Sequence, residues 1–195
     1  MPEPGPMKRR LWAGELFRGD AELDREVRRA AALCDRFNST PSTDEGALSA
    51  ILAELLGEVG EGVTVKPPFR CDYGYRTAIG DRTFINWDCS LLDGGGIEIG
   101  GHCQIAPRVQ LTTATHPIDH GPRRDGWESA APISIGENVW LGAGAIVCQG
   151  VSIGADTVVG AGAVVVRDLP AGVVAAGVPA RVIREITDAD RVDVP

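Results

Sequence analysis

Between Thr112 and Ala131 the chain reads TTATHPIDHGPRRDGWESAA, a polar stretch holding His116 and His120, two of the three histidines in 195 residues. Imidazole is basic and largely neutral near pH 7, so a histidine in such a loop can take the proton of a weak nucleophile such as a hydroxyl. Three histidines could also bind a metal ion. Here two lie four apart in an irregular loop and His102 stands elsewhere, so a three-histidine site would be forced. The five cysteines (Cys34, Cys71, Cys89, Cys103, Cys148) are odd in number, widely spread and without a CxxC pair. That argues against a disulfide framework or a zinc knuckle, and they read as small apolar side chains with no catalytic task.

A loop of this kind needs a regular element to hold it out, and the regularity has a period of six. Aliphatic residues fall at Ile79, Ile85 and Leu91, slip by two at Asp93-Gly94-Gly95-Gly96, and resume at Ile99, Ile105 and Leu111. After the polar stretch they continue at Ile135, Leu141, Val147, Ile153, Val159 and Val165. Leu111 to Ile135 is 24 residues, four repeats, so the loop leaves and rejoins in phase. Four positions after the aliphatic the chain places a small or β-branched residue (Thr83, Cys89, Cys103, Val109, Val139, Ala145, Val151, Thr157, Ala163), and the next residue is often glycine. Short strands joined by sharp corners fit this pattern, with Gly, or Asn at Asn86, expected to supply the corner dihedrals. Stacked coils of that shape bury one continuous narrow core.

The chain divides at the repeat: 1–58 as an N-terminal helical segment, 59–184 as the coil with loop 112–131, and 185–195 as a charged tail. Helical spacing runs from Asp20 to Phe37 and again from Thr43 to Gly57, which predicts a hairpin that packs on the first coils. Lys and Arg number 19 against 27 Asp and Glu, a net charge of −8, which disfavours nucleic acid or an anionic membrane as partner. No apolar run approaches a membrane span and the N-terminus lacks a signal-peptide core, so a soluble, cytoplasmic protein is expected.

The strings CDYGY (71–75), NWDC (86–89), TATHPID (113–119), IGENVWLG (135–142) and AAGVPARVIR (175–184), with LWAGELFRGDAELDREVRRAAALCDRFN before them, closely resemble the maltose and galactoside O-acetyltransferases and the related nodulation acetyltransferase. The likeness runs from Lys8 to about Ile186. It implies a mainly β fold, a left-handed parallel β-helix of hexapeptide repeats with an N-terminal α-helical segment and a protruding catalytic loop. It also implies an acetyl-CoA-dependent enzyme, with no metal required, that forms homotrimers with active sites between subunits.

By the same resemblance, His116 is the base that deprotonates an acceptor hydroxyl, which attacks the thioester directly. Glu128 is a candidate to accept the other ring N–H. Asn86 and Asp72 match acceptor-contacting positions, Asp20 matches more loosely, and Asp93 is carried as a further acceptor ligand. The galactoside branch places an acceptor Asp where this chain has Gly94, so a maltose- or glucose-type acceptor is expected over a galactoside. The backbone N–H of Ala143 maps to the oxyanion donor. Ala161, Val166, Arg167, Arg181 and Arg184 map to acetyl-CoA contacts, and Trp140 is expected beside the coenzyme A channel rather than in the core. Competing readings are an antibiotic or serine acceptor, a γ-carbonic-anhydrase-like metal enzyme, and a silent scaffold.

Overall fold

The computed structural model describes residues 3–194. Short strands wind around a triangular prism with three stacked faces. Face one carries Glu58–Val59, Thr77–Ile79, Ile97–Ile99, Ile133–Ile135 and Ser152–Ile153. Face two carries Thr64–Val65, Phe84–Ile85, Gln104–Ile105, Trp140–Leu141, Val158–Val159 and Val173–Gly177, closed by the antiparallel return strand Ala180–Glu185. Face three carries Phe69–Cys71, Cys89–Leu92, Gln110–Thr112, Ile146–Cys148 and Val164–Val165.

The six-residue frame is the register of these faces. Ile79, Ile99, Ile135 and Ile153 stand opposite one another, as do Ile85, Ile105, Leu141 and Val159, and Leu91, Leu111, Val147 and Val165. All of these are buried, and so is every small or β-branched residue four positions on. Each aliphatic ladder withdraws its side chains from water at roughly 1.5–3 kcal/mol apiece, which makes the prism a stiff post for whatever its edges carry.

The corners work differently from the expectation. The left-handed conformation falls two residues after the glycine position, at Arg82, Asp88, His102, Arg108, Asn138 and Asp156 as well as at Gly144 and Gly162. The glycines that follow the aliphatics are needed for space instead. A Cβ on Gly100 would stand 2.7 Å from the backbone nitrogen of Glu137, and one on Gly136 2.5 Å from that of Ala155, each in the next coil. Asn86 follows Ile85 in the same frame and is not itself the left-handed residue, which is Asp88.

Helices α2 (Ala21–Ser39) and α3 (Glu45–Leu55) cover the open end of the coil, N-capped by Asp20 and Asp44. Their Leu33, Phe37, Ile51 and Leu55 join the coil's own core, with Phe37 edge-on to Phe69 at 6.4 Å. Asn38 accepts the N–H of Phe69 and donates to its carbonyl, satisfying the unpaired rim of the first face-three strand. A shorter helix, α1 (Pro6–Trp12), precedes them; its signals were a Gly cap and Pro in the first turn. Leu11 and the following Phe17 form a second, small core with Leu23, Tyr73 and Ala130. The N-terminal segment therefore does more than cap: it reaches the loop. No described helix is long and apolar enough to cross a membrane.

Candidate active site

The loop leaves the prism at the edge between faces three and one. It rises as a two-stranded stalk, Ala114–Thr115 antiparallel to Ser129–Ala130, and is tied off by a short helix over His120–Arg124 whose cap is Asp119. Arg123 donates to the carbonyls of Pro117 and Ile118 and closes the tip. Phe17 and Glu128 exchange both backbone hydrogen bonds at 2.9 Å, so the N-terminal segment acts as a third strand of the stalk.

His116 follows the first stalk strand, its ring exposed. Its Nδ1 lies 3.2 Å from the carbonyl oxygen of Trp127. A carbonyl only accepts, so in the neutral ring Nδ1 carries the proton and Nε2 the lone pair. This corrects the expectation for Glu128. The orienting acceptor is the Trp127 backbone, and Glu128 acts through charge: burial pushes its carboxyl upward while His116 pulls it back. The Trp127 ring is in turn flanked by the guanidinium groups of Arg10 and Arg18, at 5.9 and 5.4 Å.

Asp72 stands on the same edge. Burial first, then the charges of Asp93 and Glu128, push its carboxyl up to about 6. Asp93 does not fit an acceptor ligand. It is wholly buried, with its two oxygens accepting from the Tyr73 N–H (2.8 Å) and the Thr77 hydroxyl (3.1 Å). The two-residue slip in the repeat bulges the chain here, and Asp93 binds the slip together. Gly94 beside it is buried as well, and a Cβ there would stand 3.4 Å from the Tyr73 ring. Asp20 caps α2 through Oδ1, which accepts from the N–H groups of Glu22 and Leu23.

Asn86, Ala143 and Ala161 lie elsewhere, at the edge between faces two and three. The register stacks Trp87, Pro107, Ala143 and Ala161 in one column of corners. The N–H of Trp87 is taken by the Asn86 side chain at 2.8 Å, and Pro107 has none to offer. Ala143 and Ala161 keep theirs without an acceptor among the described residues. Both are exposed. Ala143 opens into a groove of about 350 Å³ lined by Trp87, Asp88, Pro107, Arg108 and Gly144. Trp87 and Arg108 escaped the sequence reading. The NWDC string held the signal, since a tryptophan beside a tight corner has nowhere to point but outward.

Val166 and Arg167 are exposed on the loop's edge, one face away from Ala143 and Ala161. Arg181 and Arg184 sit on the return strand opposite Ala176 and Val174. Arg184 already makes a two-pronged ion pair with Asp190 at 2.7 Å, whereas Arg181 has no acidic partner among the described residues. Trp140 lies outside the core, 53% exposed on face two. His102 is a left-handed corner on the remaining edge, beside Glu137, Asn138 and Asp156. It does not join His116 and His120, and the described residues hold no metal-suited group of three or more His, Cys, Asp or Glu.

Residues 10–60 match the maltose acetyltransferase hexapeptide capping motif, and residues 132–167 match six repeats of the bacterial transferase hexapeptide. Nodulation protein L of Rhizobium meliloti is 44% identical over 176 residues, covering 90% of this chain and 96% of that protein. A maltose O-acetyltransferase from Clostridium difficile 630 superimposes with a TM-score of 0.92 at 40% identity, covering 95% of this chain and all of that one. The chain belongs to the maltose and galactoside O-acetyltransferase family. It is thus an acyltransferase, and its prism is the left-handed β-helix of that family. A galactoside acetyltransferase solved in complex with coenzyme A superimposes with a TM-score of 0.93 at 38% identity, covering 96% of this chain and 94% of that one. In such an enzyme the silent-scaffold and carbonic-anhydrase readings have no place.

Proposed function

We propose that this acyltransferase moves the acetyl group of acetyl-CoA directly to a hydroxyl of a small sugar, maltose- or glucose-type acceptors being preferred to galactosides, in the cytoplasm. The observation that carries it is the imidazole of His116, held by Trp127 with Nε2 open to solvent. Nε2 takes the hydroxyl proton as the oxygen attacks the thioester carbonyl. The tetrahedral oxyanion is met by the free N–H of Ala143, and collapse expels the coenzyme A thiolate, which recovers the proton from the imidazolium. Glu128 stabilises that imidazolium by its charge. Arg181 supplies an unpaired cation for the phosphates of acetyl-CoA, Arg167 a second. Arg184 joins them on exchanging Asp190 for phosphate.

The two halves of this chemistry sit on different edges of one chain. His116, Asp72, Val166 and Arg167 share the three/one edge; Asn86, Ala143 and Ala161 share the two/three edge, and the strands of face three run between them. Among the described residues no hydrogen bond links the loop to the second edge. A complete site therefore comes from two chains, the loop edge of one against the corner column of the next. A closed ring of three, the homotrimer, satisfies that with every site occupied.

Coenzyme A release, followed by thiol titration with glucose, maltose, a β-galactoside, chloramphenicol, a streptogramin and serine offered separately, tests the reading. Release with glucose or maltose exceeding that with the galactoside is expected. Release only with an antibiotic or serine would overturn the sugar assignment.

Asp72 is proposed to accept hydrogen bonds from sugar hydroxyls, and its raised pKa gives this a pH signature. The folded protein binds the proton more tightly than the unfolded chain, so stability falls as pH rises from about 4 to about 6, and the full penalty stands above. Asp72→Asn is expected to stabilise the protein by about 1–3 kcal/mol at pH 8, with the gain gone by pH 4, while raising KM for the acceptor. Thermal melts across that range check it; a gain independent of pH would show that the carboxylate's charge is not the cause.

A further inference from the structure

Five cysteines are free, and they divide into three lone thiols and one facing pair. Cys89 and Cys103 are buried and donate to the carbonyls of Ala106 and Gly136, and burial pushes both thiols, and that of Cys148, upward. Such thiols are inert at neutral pH. Cys34 and Cys71 differ. Cys34 lies on the buried side of α2, Cys71 ends the first strand of face three, and their sulfurs are 3.7 Å apart. Nothing in the acetyl-transfer chemistry uses them.

We infer that Cys34 and Cys71 are an oxidisable pair, which a hydroperoxide converts to a disulfide that bolts the N-terminal helical cap to the first coil. The two sulfurs already touch across the cap–coil boundary, 3.7 Å apart, and the bond brings them to about 2 Å. Only Cys71 is partly open to solvent, and it gives a small oxidant its approach. The contact with Cys71 pulls the Cys34 thiol down, against the burial that raises it, while the same contact and burial push Cys71 up, so the two sulfurs compete for one proton across the contact.

The chemistry balances with a hydroperoxide as oxidant. Whichever sulfur of the pair is deprotonated attacks the terminal peroxide oxygen, the O–O bond breaks, and the departing oxygen leaves as hydroxide or alkoxide and takes up a proton. That sulfur is then a sulfenic acid. Its partner sulfur attacks it, the S–O bond breaks, and water leaves with the partner thiol's proton. Two thiols lose two electrons and the peroxide gains them. The product crosslinks two positions 37 residues apart, which narrows the unfolded ensemble and fixes the cap. The strand it fixes leads directly into Asp72.

Treatment of the intact enzyme with hydrogen peroxide tests this. Titratable thiols per chain should fall from five to three, the mass should drop by ~2 Da, and non-reducing peptide mapping should join Cys34 to Cys71. The thermal midpoint should rise by roughly 5–10 °C and return with dithiothreitol. Cys34→Ser and Cys71→Ser, made separately, should each remove both the crosslink and the rise. Cys71 is only half-buried, so its variant serves if the Cys34 variant fails to fold. A gain of oxygen mass without crosslinking, a disulfide between chains, or a rise that persists in Cys71→Ser would each overturn the inference.

Discussion

His116→Ala is expected to lower kcat for acetyl transfer by about 10²–10⁴-fold, leaving KM for acetyl-CoA within about twofold and the thermal midpoint unmoved. The size follows from the task. A sugar hydroxyl at neutral pH holds its proton far too tightly to attack a thioester unaided, and on the proposed reading its base is Nε2 of His116, which the contact of Nδ1 with Trp127 leaves free. The indifference of stability follows from the position. The ring is exposed on a loop whose stalk is fixed by backbone bonds to Phe17 and by its own strand pairing, none of which involves the imidazole. Steady-state kinetics with each substrate varied in turn, beside a melt, separates the outcomes. A loss below about tenfold in a normally folded variant would remove His116 as the base.

How far the sequence could see depended on the distance over which each feature is specified. The six-residue frame survives into the structure because every ladder position faces the same narrow core, so a local pattern and a global constraint coincide from Ile79 to Val165. The corners were read less well. Glycine was credited with unusual dihedrals, yet Gly100 and Gly136 are glycine because the next coil passes too close for a side chain, a fact about neighbours in space. The same limit governs the site. The loop singles out His116 as a candidate, but the acceptor that orients its ring is a main-chain carbonyl, which no residue type announces. Asp93 stands next to a motif position, which suggests a ligand, yet the slip beside it needs a buried carboxylate to hold Tyr73 and Thr77. The free N–H of Ala143 becomes visible only when the corner column is assembled and the N–H of Trp87 is seen to be filled and that of Pro107 missing, which leaves Ala143 and Ala161 with theirs free.

That column also supplies the second large prediction. Ala143→Pro deletes one N–H and little else, because Pro107 already occupies the register-equivalent corner in the coil beneath, so the backbone there accepts proline. If Ala143 meets the oxyanion, kcat should fall by about 10²–10³-fold, with the melt close to that of the parent. A small fall would place the oxyanion elsewhere. The variant becomes more informative when paired with His116→Ala. Each is nearly inactive alone, one lacking the base on the loop edge and the other the donor on the corner edge. If a site draws its base from one chain and its donor from the next, trimers formed by unfolding and refolding an equal mixture regain activity. The base is intact in half of the chains and the donor in half, so roughly a quarter of the interfaces unite the two and about a quarter of parental activity returns. A site contained within one chain would leave the mixture as inactive as its components, because no chain in it carries both groups. The recovered fraction thus reads out directly whether the separation of His116 from Ala143 across face three is bridged by a neighbouring subunit.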